Sequence, residues 1–195
     1  MEAIFAPRKI IERIIELNKN CVIILGNEPV VSTHIKKEIR SFTDLNNIEY
    51  QSINFDTPDK INDLKLLFDN GSLFSNKTLF SISITPGRVL EETKKFIIKV
   101  IEENSNDFFI IHFQKSTKEL IKSIWFQELI KKSLKLEANE PTLNQIQQAI
   151  KVRADFHNVN LDNESISLLS NLSSSNLLSA ENEIIKLSLL GLGAD

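Results

Sequence analysis

The chain has 195 residues, 42% of them hydrophobic and 25% charged, with 23 basic against 26 acidic side chains and a formal net charge of -3. This balance excludes a disordered chain, and five Gly and five Pro exclude a collagen-like or Pro-rich one. No apolar run approaches the roughly 20 residues a membrane-spanning helix needs, and the basic surplus of a dedicated nucleic-acid binder is missing.

Residues 8–19 repeat isoleucine at helical spacing, with Ile11, Ile14 and Ile15 on one side. Cys21 to Leu25, closed by Gly26, reads as a buried strand, and its lone cysteine cannot form an internal disulfide. With an N-terminus that is charged and amphipathic rather than signal-like, this points to the cytoplasm. Residues 30–43 place Val31, Ile35, Ile39 and Phe42 on one helical stripe. Ile48 to Phe55 reads as a second strand, and Pro58 opens a helix carrying Ile61, Leu64, Leu67 and Phe68. Thr78 to Ile84 is a third strand, stopped by Pro86-Gly87. A helix with Leu90, Ile97, Val100 and Ile101 follows. Phe108 to Phe113 is apolar enough to be buried on both faces. Residues 117–131 predict one helix carrying Leu120, Ile121, Ile124, Trp125 and Leu129, and Leu134 to Glu137 a short fifth strand. Strands separated by helices predict an α/β fold with a doubly wound parallel sheet.

After Pro141 the strand signal stops. Residues 142–157, 162–172 and 176–190 read as helices, with Asp162 and Asn176 as N-caps and Gly191 as a C-terminal stop. The expected division is therefore an α/β domain over 1–140 and a three-helix domain over 141–195. Residues 141–195 hold 3 basic and 6 acidic groups, so neither part carries a basic patch by composition. The ending GLGAD supplies no closing element, which leads to the expectation of a piece of something longer.

The turn after Leu25 is where a phosphate loop would sit. That loop needs Gly, four residues, Gly, Lys, then Ser or Thr. Counting from Gly26, the second glycine is Val31, the lysine is Ser32, and only Thr33 fits. Val31 resists the left-handed turn that glycine permits, Ser32 brings no cation, Glu28 adds negative charge, and Pro29 removes a backbone donor. Metal chemistry finds no support, because His34, His112 and His157 lack partners at ligand spacing. His112 reads as a hydrogen-bonded core or strand-end histidine, and His34 as part of a solvated helix face beside two lysines. No G-x-S-x-G turn is present, and Glu102-Glu103 reads as a solvated helix end.

One segment departs from this blandness. Asn70 to Lys77 (NGSLFSNK) sets Leu73 and Phe74 among turn-forming polar residues. Leaving such side chains wet forfeits roughly 1.5–3 kcal/mol each. Either they fold back into the core or they are an apolar wedge kept for a partner's pocket.

Four segments, in order, carry a resemblance: CVIILGNEPVVSTHIKKEIRSF, GSLFSNKTLFSISI, FFIIHFQKSTKELIKSIWFQELIKK and QAIKVRADFHNVNLDNESISLLSNLSSSNLLSAENEIIKLSLL. Together they resemble the delta subunits of the bacterial DNA polymerase III clamp loader. The resemblance implies an AAA+ fold, with residues 1–140 as the α/β domain, 141–195 as the three-helix lid, and a collar domain that this sequence lacks. It implies a degenerate, non-functional phosphate loop at Gly26, Val31, Ser32 and Thr33, and no cofactor. It assigns Leu73 and Phe74, on a tip shaped by Gly71 and Ser72, to the pocket of the beta sliding clamp. The implied partners are that clamp, the tau/gamma and delta prime subunits, and primed DNA only through the assembled loader, with no membrane. The chain would not be catalytic itself, but a subunit of a DNA-directed DNA polymerase, a nucleotidyltransferase. The sequence departs from the family at Ser175, where a glycine is expected before Asn176. The rival reading is a nucleotide-dependent AAA+ motor subunit of a clamp loader or a related ATPase; a third is a helix-rich adaptor with Leu73 and Phe74 in its core.

Overall fold

Five short runs rich in β-branched and aromatic residues pair into one parallel sheet in a computed structural model. It describes residues 13–14, 16–55, 60–69, 77–85, 89–104, 106–138, 141–173 and 176–191. The strands are β1 (Cys21–Leu25), β2 (Glu49–Phe55), β3 (Thr78–Ile84), β4 (Phe108–Phe113) and β5 (Ser133–Glu137), in the order β2-β3-β4-β1-β5. The helices are α1 (Pro29–Leu45), α2 (Ile61–Asp69), α3 (Glu91–Glu103), α4 (Lys118–Lys122), α5 (Ile124–Lys132), α6 (Leu143–Phe156), α7 (Asn163–Leu172) and α8 (Leu177–Leu189). The doubly wound parallel sheet expected from the alternation of strands and helices is what forms.

Side chains alternate across a strand, so the register assigns each residue to a face. One face carries Ile23 and Leu25 of β1, Phe80 and Ile82 of β3, and Phe109, Ile111 and Phe113 of β4. Leu64 of α2, Ile97 and Ile101 of α3, and Phe126 and Leu129 of α5 cover it. Phe80 and Phe109 stack at 5.6 Å between centroids, and Phe113 meets Phe126 edge-on at 5.5 Å. Each such side chain contributes about 1.5–3 kcal/mol by burial.

The opposite face is mixed. Val22, Ile24, Ile110, Leu134 and Leu136 pack with Val30, Ile35 and Ile39 of α1, and Ala149 of α6 and Leu177 of α8 join the same cluster. Toward β2 this face turns polar. The register aligns Ser52 with Ser81 and Asn54 with Ser83, and Ser83 with His112.

Helices α6, α7 and α8 enclose a small core of Ile146, Ile150, Ala154, Ile166, Ala180 and Ile184. The two caps form as predicted: Asp162 Oδ1 accepts from the Ser165 amide at 2.7 Å and Asn176 Oδ1 from the Ser179 amide at 3.2 Å. Gly191 follows α8 with φ +70°, the left-handed conformation that ends a helix. Within this unit lies a buried ion pair. Arg153 Nε donates to Glu181 Oε1 and Oε2 at 2.9 and 2.7 Å, tying α6 to α8.

Three details depart from the sequence reading. The single helix expected over 117–131 is two, α4 and α5. Ser123 is extended between them (φ -69°, ψ 141°), and both its hydroxyl and its amide donate to the Leu120 carbonyl, at 2.6 and 3.1 Å. The break rotates the apolar stripe, burying Phe126 with Leu129 and leaving Ile124 79% exposed. Leu90 precedes α3 as its N-cap and is exposed rather than packed. Val30, not named in the stripe of α1, is buried. Ile11, Ile15, Pro58 and Pro86-Gly87 lie outside the described residues.

Candidate functional site

The turn between β1 and α1 has three residues, Gly26, Asn27 and Glu28. Gly26 has φ +103°, which a side chain would strain. Its N–H donates to the Phe113 carbonyl of β4 at 2.9 Å. The Glu28 N–H donates to the Ala138 carbonyl at 2.7 Å, and the Ala138 N–H donates back to the Leu25 carbonyl at 2.6 Å. Pro29 opens α1 without an N–H. Val31, Ser32 and Thr33 therefore lie inside the helix rather than in a loop ahead of it. The Ser32 N–H donates to the Glu28 carbonyl at 3.0 Å and its hydroxyl to the Pro29 carbonyl at 3.3 Å. The Val31 side chain lies outside the described residues. In open α/β sheets, ligands sit at the C-terminal ends of the strands where the order reverses. Here the turn's Gly26 and Glu28 amides are spent on the strands to either side of β1.

His112 closes the same corner. It is 3% exposed, with Nε2 2.7 Å from the Gly26 carbonyl oxygen. Burial holds its pKa below the usual histidine value; the bond to Gly26 opposes this, and the charge of Lys36 adds to it. Neutral His112 thus donates from Nε2 to Gly26, while its buried Nδ1 meets no hydrogen-bond partner among the described residues. It is the hydrogen-bonded core histidine that the sequence suggested. Burial likewise pushes the Cys21 thiol up to about 12. Among the described residues no group of three His, Cys, Asp or Glu side chains could hold a metal ion, and no helix is long and apolar enough to cross a membrane.

Gly71, Ser72, Leu73 and Phe74 lie outside the described residues, as does Ser175. Their flanks are described. Helix α2 ends at Asp69, and β3 begins at Thr78, whose N–H donates to Asp107 Oδ1 at 2.8 Å. The Glu49 N–H donates to the Lys77 carbonyl at 3.2 Å. Because the five described strands are parallel, β3 begins at the sheet's N-terminal edge. Gly26 sits at the opposite edge.

The sequence reading passed over a third place. Thr33, Lys36, Lys37 and Arg40 of α1, with Tyr50 of β2 and Ile110 of β4, line an open hollow of 250 Å³. The signal was present as the i, i+3, i+4, i+7 spacing of the four α1 residues.

No protein-family model and no curated protein sequence matches the chain. Solved structures do. The Bacillus subtilis DNA clamp loader delta protein superposes with a TM-score of 0.71 at 16% identity, covering 96% of this chain and 57% of that one. The two share the same α/β fold. Domain III of the Thermotoga maritima replication initiation protein DnaA covers 96% of this chain and 83% of its own, with a TM-score of 0.53 at 15% identity. The Thermotoga maritima RuvB Holliday junction branch migration motor reaches 0.50 at 10% identity, over 96% of this chain and 64% of its own. The chain thus spans little more than half the length of the delta protein it resembles.

Proposed function

We propose that this chain is the AAA+-like part of a clamp-loader delta subunit of DNA polymerase III, which binds the beta sliding clamp and opens the ring for loading onto primed DNA. The observation that carries the reading is the likeness to a delta protein, a TM-score of 0.71 over 96% of the chain, against 0.53 and 0.50 for DnaA and RuvB. Residues 1–140 form the clamp-binding domain and 141–195 the lid. Leu73 and Phe74, on the tip shaped by Gly71 and Ser72, are the wedge. Support for this comes from the flanks alone: β3, which follows the tip in the chain, begins at the sheet edge remote from the β1–α1 turn.

The mechanism is capture of a strained ring. A subunit that binds the open clamp more tightly than the closed one shifts the equilibrium by that difference in affinity. Two large apolar side chains seated in a pocket supply about 1.5–3 kcal/mol each. Hydrolysis by this chain is not needed. The inward hydrogen bonds of Gly26 and Glu28, and the lack of a lysine at Ser32, favour a subunit that does not use triphosphate over a motor. The tau/gamma and delta prime subunits then supply the nucleotide-driven step, DNA is met through the assembled loader, and the setting is the cytoplasm.

The test is a sizing column run with the protein and its own sliding clamp. The wild-type chain co-elutes with the clamp, whereas Leu73→Ala with Phe74→Ala leaves the circular dichroism unchanged and abolishes co-elution. Normal co-elution of the double variant defeats the wedge. Saturable micromolar binding of a fluorescent ATP analogue replaces the delta reading with that of a motor subunit.

A further inference from the structure

A hollow lies between α1 and β2. We propose that it is a binding site for a small phosphorylated ligand, gripped by Lys36, Lys37 and Arg40. Three and four residues apart, these side chains and Thr33 share one helix face. They meet over a 250 Å³ space walled by Tyr50 and Ile110.

Three cations gather on this face of α1. Lys65, Lys94, Lys132 and Lys135 each pair with a glutamate: Glu92, Glu91, Glu102 and Glu137 respectively. Lys36, Lys37 and Arg40 have no carboxylate partner among the described residues. Lys36 and Arg40 are like charges at i and i+4, which destabilise a helix unless an anion lies between them. Lys36 is partly withdrawn from water, and burial lowers its pKa. The cost of gathering these cations is thus met before any ligand arrives, and a phosphate recovers it. Arg40 is preset for the task, its guanidinium carbon lying 5.1 Å from the centroid of the Tyr50 ring.

Size decides the class of ligand. A volume of 250 Å³ is below the roughly 300–1,000 Å³ of drug-sized pockets, so it suits one or two phosphates on a small body. A nucleic-acid strand needs a long basic track, and the net charge of -3 opposes a polyanion.

The proposal is tested by titrating the protein with inorganic pyrophosphate, following the ³¹P resonance and the amide shifts of α1. The wild-type chain shows saturable binding. Lys36→Met with Arg40→Gln weakens it at least roughly tenfold, and Lys65→Gln leaves it unchanged. Should the double variant misfold, Lys36→Met and Arg40→Lys are read singly; each weakens binding while the thermal transition is retained. Absence of saturation at millimolar pyrophosphate, or equal binding by wild type and folded variants, overturns the proposal. So does binding of a single-stranded oligonucleotide with which pyrophosphate does not compete.

Discussion

The two faces of the sheet are built on different plans. Beneath α2, α3 and α5 the strands present phenylalanine, isoleucine and leucine, and the helices answer with the same residue types. Beneath α1 the aliphatic packing covers β1, β5 and part of β4, then gives way to the buried polar side chains of Ser81, Ser83 and His112. The first face is devoted to burial. The second stays buried but admits polar side chains among the aliphatic ones. The two faces differ because alternate residues of each strand answer to different neighbours.

The largest effects should fall on the closed face. Phe126→Ala empties a fully buried site that Phe113 touches edge-on, and should cost about 3–5 kcal/mol in denaturant unfolding. A loss below about 1 kcal/mol would break the contrast between the faces. An effect of the same order, from a different cause, is expected in the three-helix unit. Arg153→Met strands the buried Glu181 carboxylate and should cost about 3–5 kcal/mol, most of it restored by adding Glu181→Leu.

On the mixed face the expected effect depends on pH. The folded-state pKa of His112 is below its ordinary 6.5. As pH falls below about 6.5, the unfolded chain takes up a proton that the folded chain resists, so stability declines toward the lower folded pKa. Above that window the group contributes no slope. Unfolding curves at successive pH values should show the decline, and His112→Gln should flatten it. Smaller still is Asn176→Ala, which removes the N-cap of α8 and should cost about 1 kcal/mol by thermal unfolding. Smallest is Ser83→Ala, expected within about 0.5 kcal/mol of wild type. A large loss there would show that the polar corner is structural.

Much of the architecture is legible from short-range pattern. The runs CVIIL, TLFSISI and FFIIHF announce strands through β-branched and aromatic residues, and Asp162 and Asn176 announce helix starts through side chains that reach an amide three residues on. The break at Ser123 escaped because periodicity sees apolar spacing and not a hydroxyl competing for the Leu120 carbonyl. At the candidate site, the mismatch of Val31 and Ser32 to a phosphate loop is plain in the letters. That the Gly26 and Glu28 amides turn inward is not, since their acceptors, Phe113 and Ala138, are remote in the chain. The pairing of Arg153 with Glu181 was hidden for the same reason.

The amino-acid order alone determined the strands, most of the helices, two helix caps and the missing lysine of the phosphate loop, because these depend on neighbours a few residues away. Strand order, the spent amides of the β1–α1 turn, the buried ion pair and the cation-lined hollow were decided only when distant segments met. A hydrogen bond, a desolvated charge or a cavity is a property of what surrounds a group in space, which local spacing does not encode.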